Sequence, residues 1–384
     1  MCALIAISAT SMAACSSGSG TDDDVIKIGA IAPLSGGTST LGPVADGIKA
    51  YFDDVNAAGG IDGHQVQVIV KDDSYDPSKT PGQARALVEQ DKVDMMCAPT
   101  GTGPVSSIYQ YVTQQKVPTV ALSGSPEFAG PDSTVFEQLP DYRGLGTYVA
   151  DFALNDLHSK SIAIAYSLDG VGQPFLEGAR TELEKAGITP TVVEFNPKSP
   201  DQSTVASKLK ASQADVVLVN HVAPIVTAIA KAAAQQGYTP RYASTFALND
   251  AKFKELSGGY LDGVYVATPY LIGSEPQAEG YRAAIAKHAP SVDALDPVVM
   301  EGWTTADACH SVLTKAVREA NGEKPTREEI LSAISNIAIT TPYISNLHWT
   351  PDDHTGQKNS RIVTFDGEKF VPFKDLSDFP RPTS

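Results

Sequence analysis

Basic residues are scarce in this 384-residue chain, where 29 Lys and Arg stand against 45 Asp and Glu for a formal net charge of −16. A surface of that sign repels a phosphate backbone, whose binding depends on Lys and Arg neutralising it, so nucleic acid is excluded as a partner. Cysteine is scarcer still. Cys2, Cys15, Cys97 and Cys309 form no CxxC and no cysteine–histidine pair at zinc spacing, so neither a metal knot nor a disulfide scaffold is encoded. Cys97 and Cys309 lie in apolar stretches (MMCAP, ADACHSVL) and read as buried thiols acting as small hydrophobes. GxSxG, HExxH, a complete GxGxxG and the GxxxxGK phosphate loop are all missing, and the seven histidines are scattered. No enzyme, cofactor or metal site is therefore expected. The paired carboxylates Asp72-Asp73 close a β-like run and read as solvent-facing.

Long hydrophobic runs are also missing, since none reaches the roughly 20 residues that a membrane-spanning helix needs. Residues 3–14 (ALIAISATSMAA) are too short to span and read as the core of a signal peptide. They end in Met12-Ala13-Ala14-Cys15, which resembles a lipobox. Residues 1–15 are thus expected to be a signal ending at a lipidated Cys15. Residues 16–24 (SSGSGTDDD) form a polar tether that cannot bury enough apolar surface to fold. A secretory signal with an incidental cysteine is the alternative. No Lys or Arg precedes the apolar core, so the signal is expected to start upstream of Met1, which leaves Cys2 without a role.

What is present is a globular composition, 42% hydrophobic and 19% charged, with 31 Gly and 26 Pro. The length suits two cores, because single cores stop growing at roughly 250 to 300 residues. From residue 25, short apolar runs alternate with amphipathic stretches, the pattern of βα units stacked into parallel sheets. VIKIGAIAP reads as strand, 42–58 as a helix stopping at Gly59-Gly60, HQVQVIVKDD as strand, GQARALVEQ as helix, VDMMCAP as strand, PVSSIYQYVTQQ as helix and VPTVALS as strand. After 133–142 a second series follows: helices at 144–157, 173–187, 202–211 and 224–236 alternate with SIAIAYS, TPTVVEF and ADVVLVN, before PRYAST and GVYVATP. Helices at 276–289, 303–320 and 326–336 and the β-like SNLHWT, RIVTFDG and KFVPF complete the chain. Helices after the second series predict a return to the first lobe.

The segments IKIGAIAPLSG, NAAGGIDGHQVQVIVKDDSYDPSKTPGQARALVEQDKVDMM, IYQYVTQQKVPTVALSGSPEF and VVLVNHVAP resemble the leucine/isoleucine/valine-binding branch of the type I periplasmic binding proteins. The likeness spans about residues 25–373, and the GGIDG turn followed by a strand and the Asp76-Pro77 pair is its most specific part. It implies an α/β fold of two Rossmann-like lobes joined by three hinge crossings, closing on a ligand and delivering it to an ABC permease. Carried over, the crossings place lobe 1 at 25–140 plus 270–345 and lobe 2 at 141–269 plus 346–384. The family's cysteine near the DP pair aligns with Tyr75, which implies that Cys97 has no partner.

In open α/β sheets ligands bind beyond the carboxyl ends of the strands, where loops feed helix amino termini. Thr100-Gly101-Thr102-Gly103-Pro104 and Leu122-Ser123-Gly124-Ser125-Pro126-Glu127 both fit that place. Glycine lets a ligand approach the backbone, hydroxyls donate hydrogen bonds, and a helix amino terminus favours an anion without a counter-ion. Thr100, Gly101, Thr102, Leu122, Ser123 and Gly124 are accordingly expected to hold a ligand carboxylate, against the alternative that the hydroxyls only cap helices. On the amino-group side, the family's Tyr-Gly pair after SIAIAYS falls at Val171-Gly172, and its acid after PRYAST falls at Phe246. Either Asp169, Glu301 or Asp250 substitutes, or the ligand has no amino group. His221, Val222, Phe246, Tyr270 and Trp303 are candidates for the apolar walls.

The expected function is therefore an extracytoplasmic, lipid-anchored monomer that binds a small hydrophobic carboxylate, a branched-chain amino acid being the first candidate, for an ABC permease. Its alternatives are a binder of aromatic or other acids lacking an amino group and a ligand sensor acting through a partner protein.

Overall fold

In the computed structural model, residues 24–128, 130–250 and 252–380 are described. Cys2, Cys15 and residues 16–23 of the tether lie outside them.

Nearly continuous apolar runs give strands that can be covered on both faces, the condition for parallel sheets. The first sheet follows that rule, with β1 (Ile26–Ala32), β2 (Val66–Asp72), β3 (Met95–Thr100), β4 (Thr119–Leu122) and β5 (Val135–Glu137). They pair in parallel in the order β2-β1-β3-β4-β5. Between them run α1 (Val44–Ala57), α2 (Thr80–Arg85) and α3 (Thr102–Gln114). Helix α1 ends where the sequence predicts. Gly59 and Gly60 take φ of +112° and +78°, and Gly60 donates its N–H back to the Val55 carbonyl at 2.9 Å.

The second series builds α4 (Tyr142–Asn155), β6 (Ile162–Ser167), α5 (Gly172–Lys185), β7 (Thr191–Phe195), α6 (Ser203–Ser212), β8 (Val216–Val219), α7 (Ala223–Gln235), β9 (Arg241–Thr245), α8 (Phe253–Ser257) and β10 (Tyr265–Thr268). The chain then returns to the first sheet with α9 (Glu279–His288), α10 (Pro297–Glu319) and α11 (Arg327–Ile334). It ends with β11 (Ile337–Ile339), β12 (Leu347–Trp349), β13 (Asn359–Phe365) and β14 (Phe370–Asp378). The second sheet runs β14-β13-β10-β9-β8-β6-β7, antiparallel only at β13 and β14. There are thus two large sheets, each flanked by helices, with a cleft between them, and a two-stranded sheet of β11 and β12 beside the first.

The return of α10 to lobe 1 depends on small residues. A Cβ on Gly47 of α1 would lie 2.1 Å from the Val299 carbonyl oxygen, and one on Gly302 would lie 2.0 Å from that of Val44. Backbones this close fix the rotation of α10, and so decide which of its residues meet the cleft.

Cys97 is not partnerless. It forms a disulfide with Cys309, 212 residues away, with the two Cα atoms 6.3 Å apart. The partner comes from α10, which packs on β3, and not from the loop around Tyr75 where the resemblance had looked.

Three crossings connect the lobes: 138–141, 269–278 and the stretch before β13. Gln138 joins them, because its side-chain oxygen accepts from Tyr270 OH at 3.1 Å and its carbonyl accepts from Gln357 N at 3.5 Å. The last crossing lies later than 345/346. Strand β12 still pairs with β11, and Trp349 Nε1 donates to the Glu137 carbonyl at 3.0 Å, so the chain leaves lobe 1 only after Trp349.

Candidate functional site

The carboxyl ends of β3, β4, β6, β8 and β9 face one another across the cleft and line a partly open cavity of about 110 Å³. Lobe 1 contributes Leu41, Val44, Tyr75, Thr100, Gly101, Leu122, Val298 and Glu301, and lobe 2 contributes Val171, His221, Val222, Phe246, Ala247 and Asn249. Leu139 enters from the first crossing and Tyr142 from the start of α4. Among the described residues no Lys or Arg stands on the wall. An anion here would be held by neutral donors.

Eight expected residues reach the wall: Thr100, Gly101, Leu122, Val171, His221, Val222, Phe246 and Glu301. Thr102, Ser123 and Gly124 stand one layer behind it. Thr102 Oγ1 lies 3.2 Å from Ser123 Oγ and 3.2 Å from Tyr142 OH, a hydroxyl chain that ties α3 to the loop after β4 and to the start of α4. Ser123 Oγ also accepts from Ser125 N at 3.2 Å. The capping alternative is not what the structure shows for α3. Gly101 is its N-cap at φ +96°, and no side chain caps it, so the positive end of the helix dipole is left for something else. A Cβ at Gly101 would lie 2.4 Å from the Tyr75 ring.

Trp303 does not belong to the site. It packs inside lobe 1 against Tyr51, Tyr281 and Tyr343, with ring centroids 4.8, 5.3 and 5.9 Å away. Asp169 does not reach the wall either. Its Oδ1 accepts from Ser167 Oγ (2.8 Å), Val171 N (3.0 Å) and Gly172 N (2.9 Å), closing the start of α5. Asp250 joins the lobes instead, accepting from Thr40 Oγ1 at 2.7 Å.

The polar groups of the wall are nearly all neutral. Burial pushes the Tyr75 phenol up to about 12, with Asp73 and Glu301 adding to the effect, so it stays a donor, and its hydroxyl makes no hydrogen bond among the described residues. His221 Nδ1 accepts from Val222 N at 2.9 Å, which places its proton on Nε2, 3.9 Å from Asp169 Oδ2. Burial lowers the His221 pKa against the opposing pull of Asp169, leaving the ring neutral at pH 7. Glu301 is the single carboxyl on the wall. Burial, with Asp296 adding to it, raises it to about 8 against the opposing hydrogen bond from Tyr270, whose OH lies 3.3 Å away. It is mostly protonated at pH 7.

Phe246 and Tyr142 form the broad apolar surface, their rings 6.1 Å apart and inclined at 25°. Leu41, Val44, Leu139, Tyr142, Ala247, Asn249 and Val298 also line the wall without having been expected from the sequence, as does Tyr75, which had no binding role there. Tyr142 alone carried a signal, since Asp141 before it is an N-cap residue that accepts from Arg143 N and Gly144 N.

Two lobes around a partly open cavity without a basic residue on its described wall have the form of a solute-binding protein. Residues 25–369 match the model of the periplasmic binding protein family, and the chain belongs to that family. It is 26% identical over 338 residues to an amino acid binding protein of Pseudomonas aeruginosa, covering 78% of this chain and 87% of the relative. It is 22% identical to the leucine-, isoleucine-, valine-, threonine- and alanine-binding protein of the same organism, covering 90% and 91%. Solved structures share the type I fold. A fatty acid ABC transporter substrate-binding protein from Thermomonospora curvata superposes with a TM-score of 0.79 at 21% identity, over 94% of each chain. An R. palustris solute-binding protein in complex with 4-hydroxybenzoate gives 0.79 at 19%, over 93% of this chain and 98% of that one.

Proposed function

We propose that this protein is the extracytoplasmic solute receptor of an ABC importer, acting as a monomer on a compact hydrophobic carboxylate, with a branched-chain amino acid as first candidate. The observation that carries this reading is the uncapped amino terminus of α3, beside Tyr75 and Thr100, on a wall without any cation. Neutral donors and a helix terminus hold a carboxylate at lower desolvation cost than a buried ion pair. A cavity of about 110 Å³ suits a compact solute better than a long acyl chain. Lobe 1 captures the carboxylate first; lobe 2 then brings Val171, Val222 and Phe246 over the apolar body, and the closed surface is what the permease reads. The relatives named for leucine, isoleucine and valine support the first candidate.

A second reading, an aromatic acid without an amino group, is favoured by the Tyr142–Phe246 ring pair and by the apolar Val171 and Phe246 side chains, which offer an ammonium nothing to pair with. A thermal-shift screen of branched-chain amino acids, their keto acids and hydroxybenzoates tests both. A ligand at 100 times its Kd stabilises by about 2.7 kcal/mol, which raises the melting temperature by several degrees. The proposal fails if none of these acids shifts it.

The anchor at Cys15 is part of the same proposal. Palmitate labelling that Cys15→Ala abolishes is the expected result, and unchanged labelling would refute it. The buried disulfide supports an oxidising compartment outside the cytoplasm.

A further inference from the structure

The carboxylate end of the cavity is furnished, but on the facing lobe Val171, Val222 and Phe246 offer an ammonium nothing to pair with. A hydrophobic α-amino acid would then bury an ammonium against apolar atoms, which costs several kcal/mol. Glu301 changes that picture. It projects from α10 onto the cavity wall, two residues from the buried Trp303, at a height fixed by the Gly47 and Gly302 backbone contacts. Its Oε1 lies 3.3 Å from Tyr270 OH, and Tyr270 in turn donates to Gln138 Oε1 at 3.1 Å. Tyr270 OH is thus shared between Gln138 Oε1 and Glu301 Oε1, and the second Glu301 oxygen makes no hydrogen bond among the described residues.

We propose that Glu301 is the specificity-determining residue that receives the ligand's α-amino group. The inference rests on the carboxylate-receptor reading above and deepens it. An α-amino acid carries both charged groups on one carbon, so the amino partner must stand beside the carboxylate donors. Glu301 shares the cavity wall with Tyr75, Thr100 and Gly101.

The groups facing Glu301 are Tyr270 from the second crossing, Tyr75 from the loop after β2 and Asp296 from the start of α10, with Asp46 of α1 farther off beside Asp296. None is a cation, so an incoming ammonium is the group that would draw the proton off Glu301. The balance is simple: the carboxyl O–H breaks, its proton leaves to solvent, and the carboxylate pairs with the ammonium. Because the empty site is protonated up to about pH 8, amino-acid affinity rises with pH, by up to about tenfold per unit, and levels off above that value. An acid without the amino group shows the opposite sign, because ionised Glu301 repels its carboxylate.

The experiment is isothermal titration of the full chain and of Glu301→Gln with L-leucine and with its keto acid, at pH 6, 7 and 8. Each titration is run in two buffers of different ionisation enthalpy. The expected result at pH 7 is release of about one proton per leucine by the parent chain. The variant releases none and binds leucine at least about 30-fold more weakly, while its keto-acid affinity stays within about threefold. The inference is overturned if leucine binds the parent without proton release, if the variant keeps leucine affinity within threefold, or if only acids lacking the amino group bind. In that last case the carboxylate-receptor reading stands. If neither leucine nor the keto acid binds, the receptor reading fails and this inference falls with it. Should the variant not fold, proton release and the pH dependence of the parent chain still decide.

Discussion

Gly101→Val abolishes ligand binding, with a loss of at least about a hundredfold in affinity, close to 2.8 kcal/mol. Two effects add at this position. Gly101 holds φ at +96°, a conformation that a β-branched residue adopts only under strain of roughly 1–3 kcal/mol. Its Cβ would also sit 2.4 Å from the Tyr75 ring. Relief has to come from swinging the ring or the loop, and either displaces a carboxylate donor or the amino end of α3. Titration of the variant with the best ligand of the parent chain checks this. A melting curve is the control, since the loop lies at a strand end and most of the core is untouched. An affinity within threefold of the parent would show that the loop is not part of the site.

Removing the Cys97–Cys309 bridge costs stability instead of affinity. The bond joins β3 to α10 across 212 residues of chain, and loss of a native disulfide costs about 2–5 kcal/mol. Both sulfurs are buried, so the double alanine variant avoids placing a hydroxyl in the core. Urea unfolding of that variant, beside the parent chain with and without reductant, is the measurement. Equal midpoints in all three would mean that the bond carries no stability. β3 ends at Thr100, and α10 carries Val298 and Glu301, so the bridge also holds the two halves of the lobe 1 wall at a fixed spacing.

The strand–helix rhythm was legible because parallel strands covered on both faces read as unbroken apolar runs, as in MMCAP and VVLV. The two binding loops were legible for a related reason: glycine and hydroxyl residues follow strand ends directly. Helix α10 shows where this stops. It begins at Pro297, six residues before the sequence pattern suggests, and most of its residues are buried, so its periodicity gives no facing direction. Glu301 and Trp303 are two residues apart, about 200° around a helix, and cannot share a face. The contact of Gly302 with Val44 turns Glu301 to the cleft and Trp303 to the core. The same packing brings Cys309 to Cys97, a pairing that no local pattern encodes. Tyr75 was missed because its left-handed backbone, φ +59°, rests on Asp73 accepting from its N–H at 2.9 Å.

The central claim is that a carboxylate is held at the amino end of α3 without a counter-ion. It is tested most directly by titrating the full chain with the strongest acid of the screen and with the same compound as its primary amide. The account predicts that the amide, equal in size but uncharged and with a donor where the anion was, binds at least about a hundredfold more weakly. Equal affinity for acid and amide would contradict it.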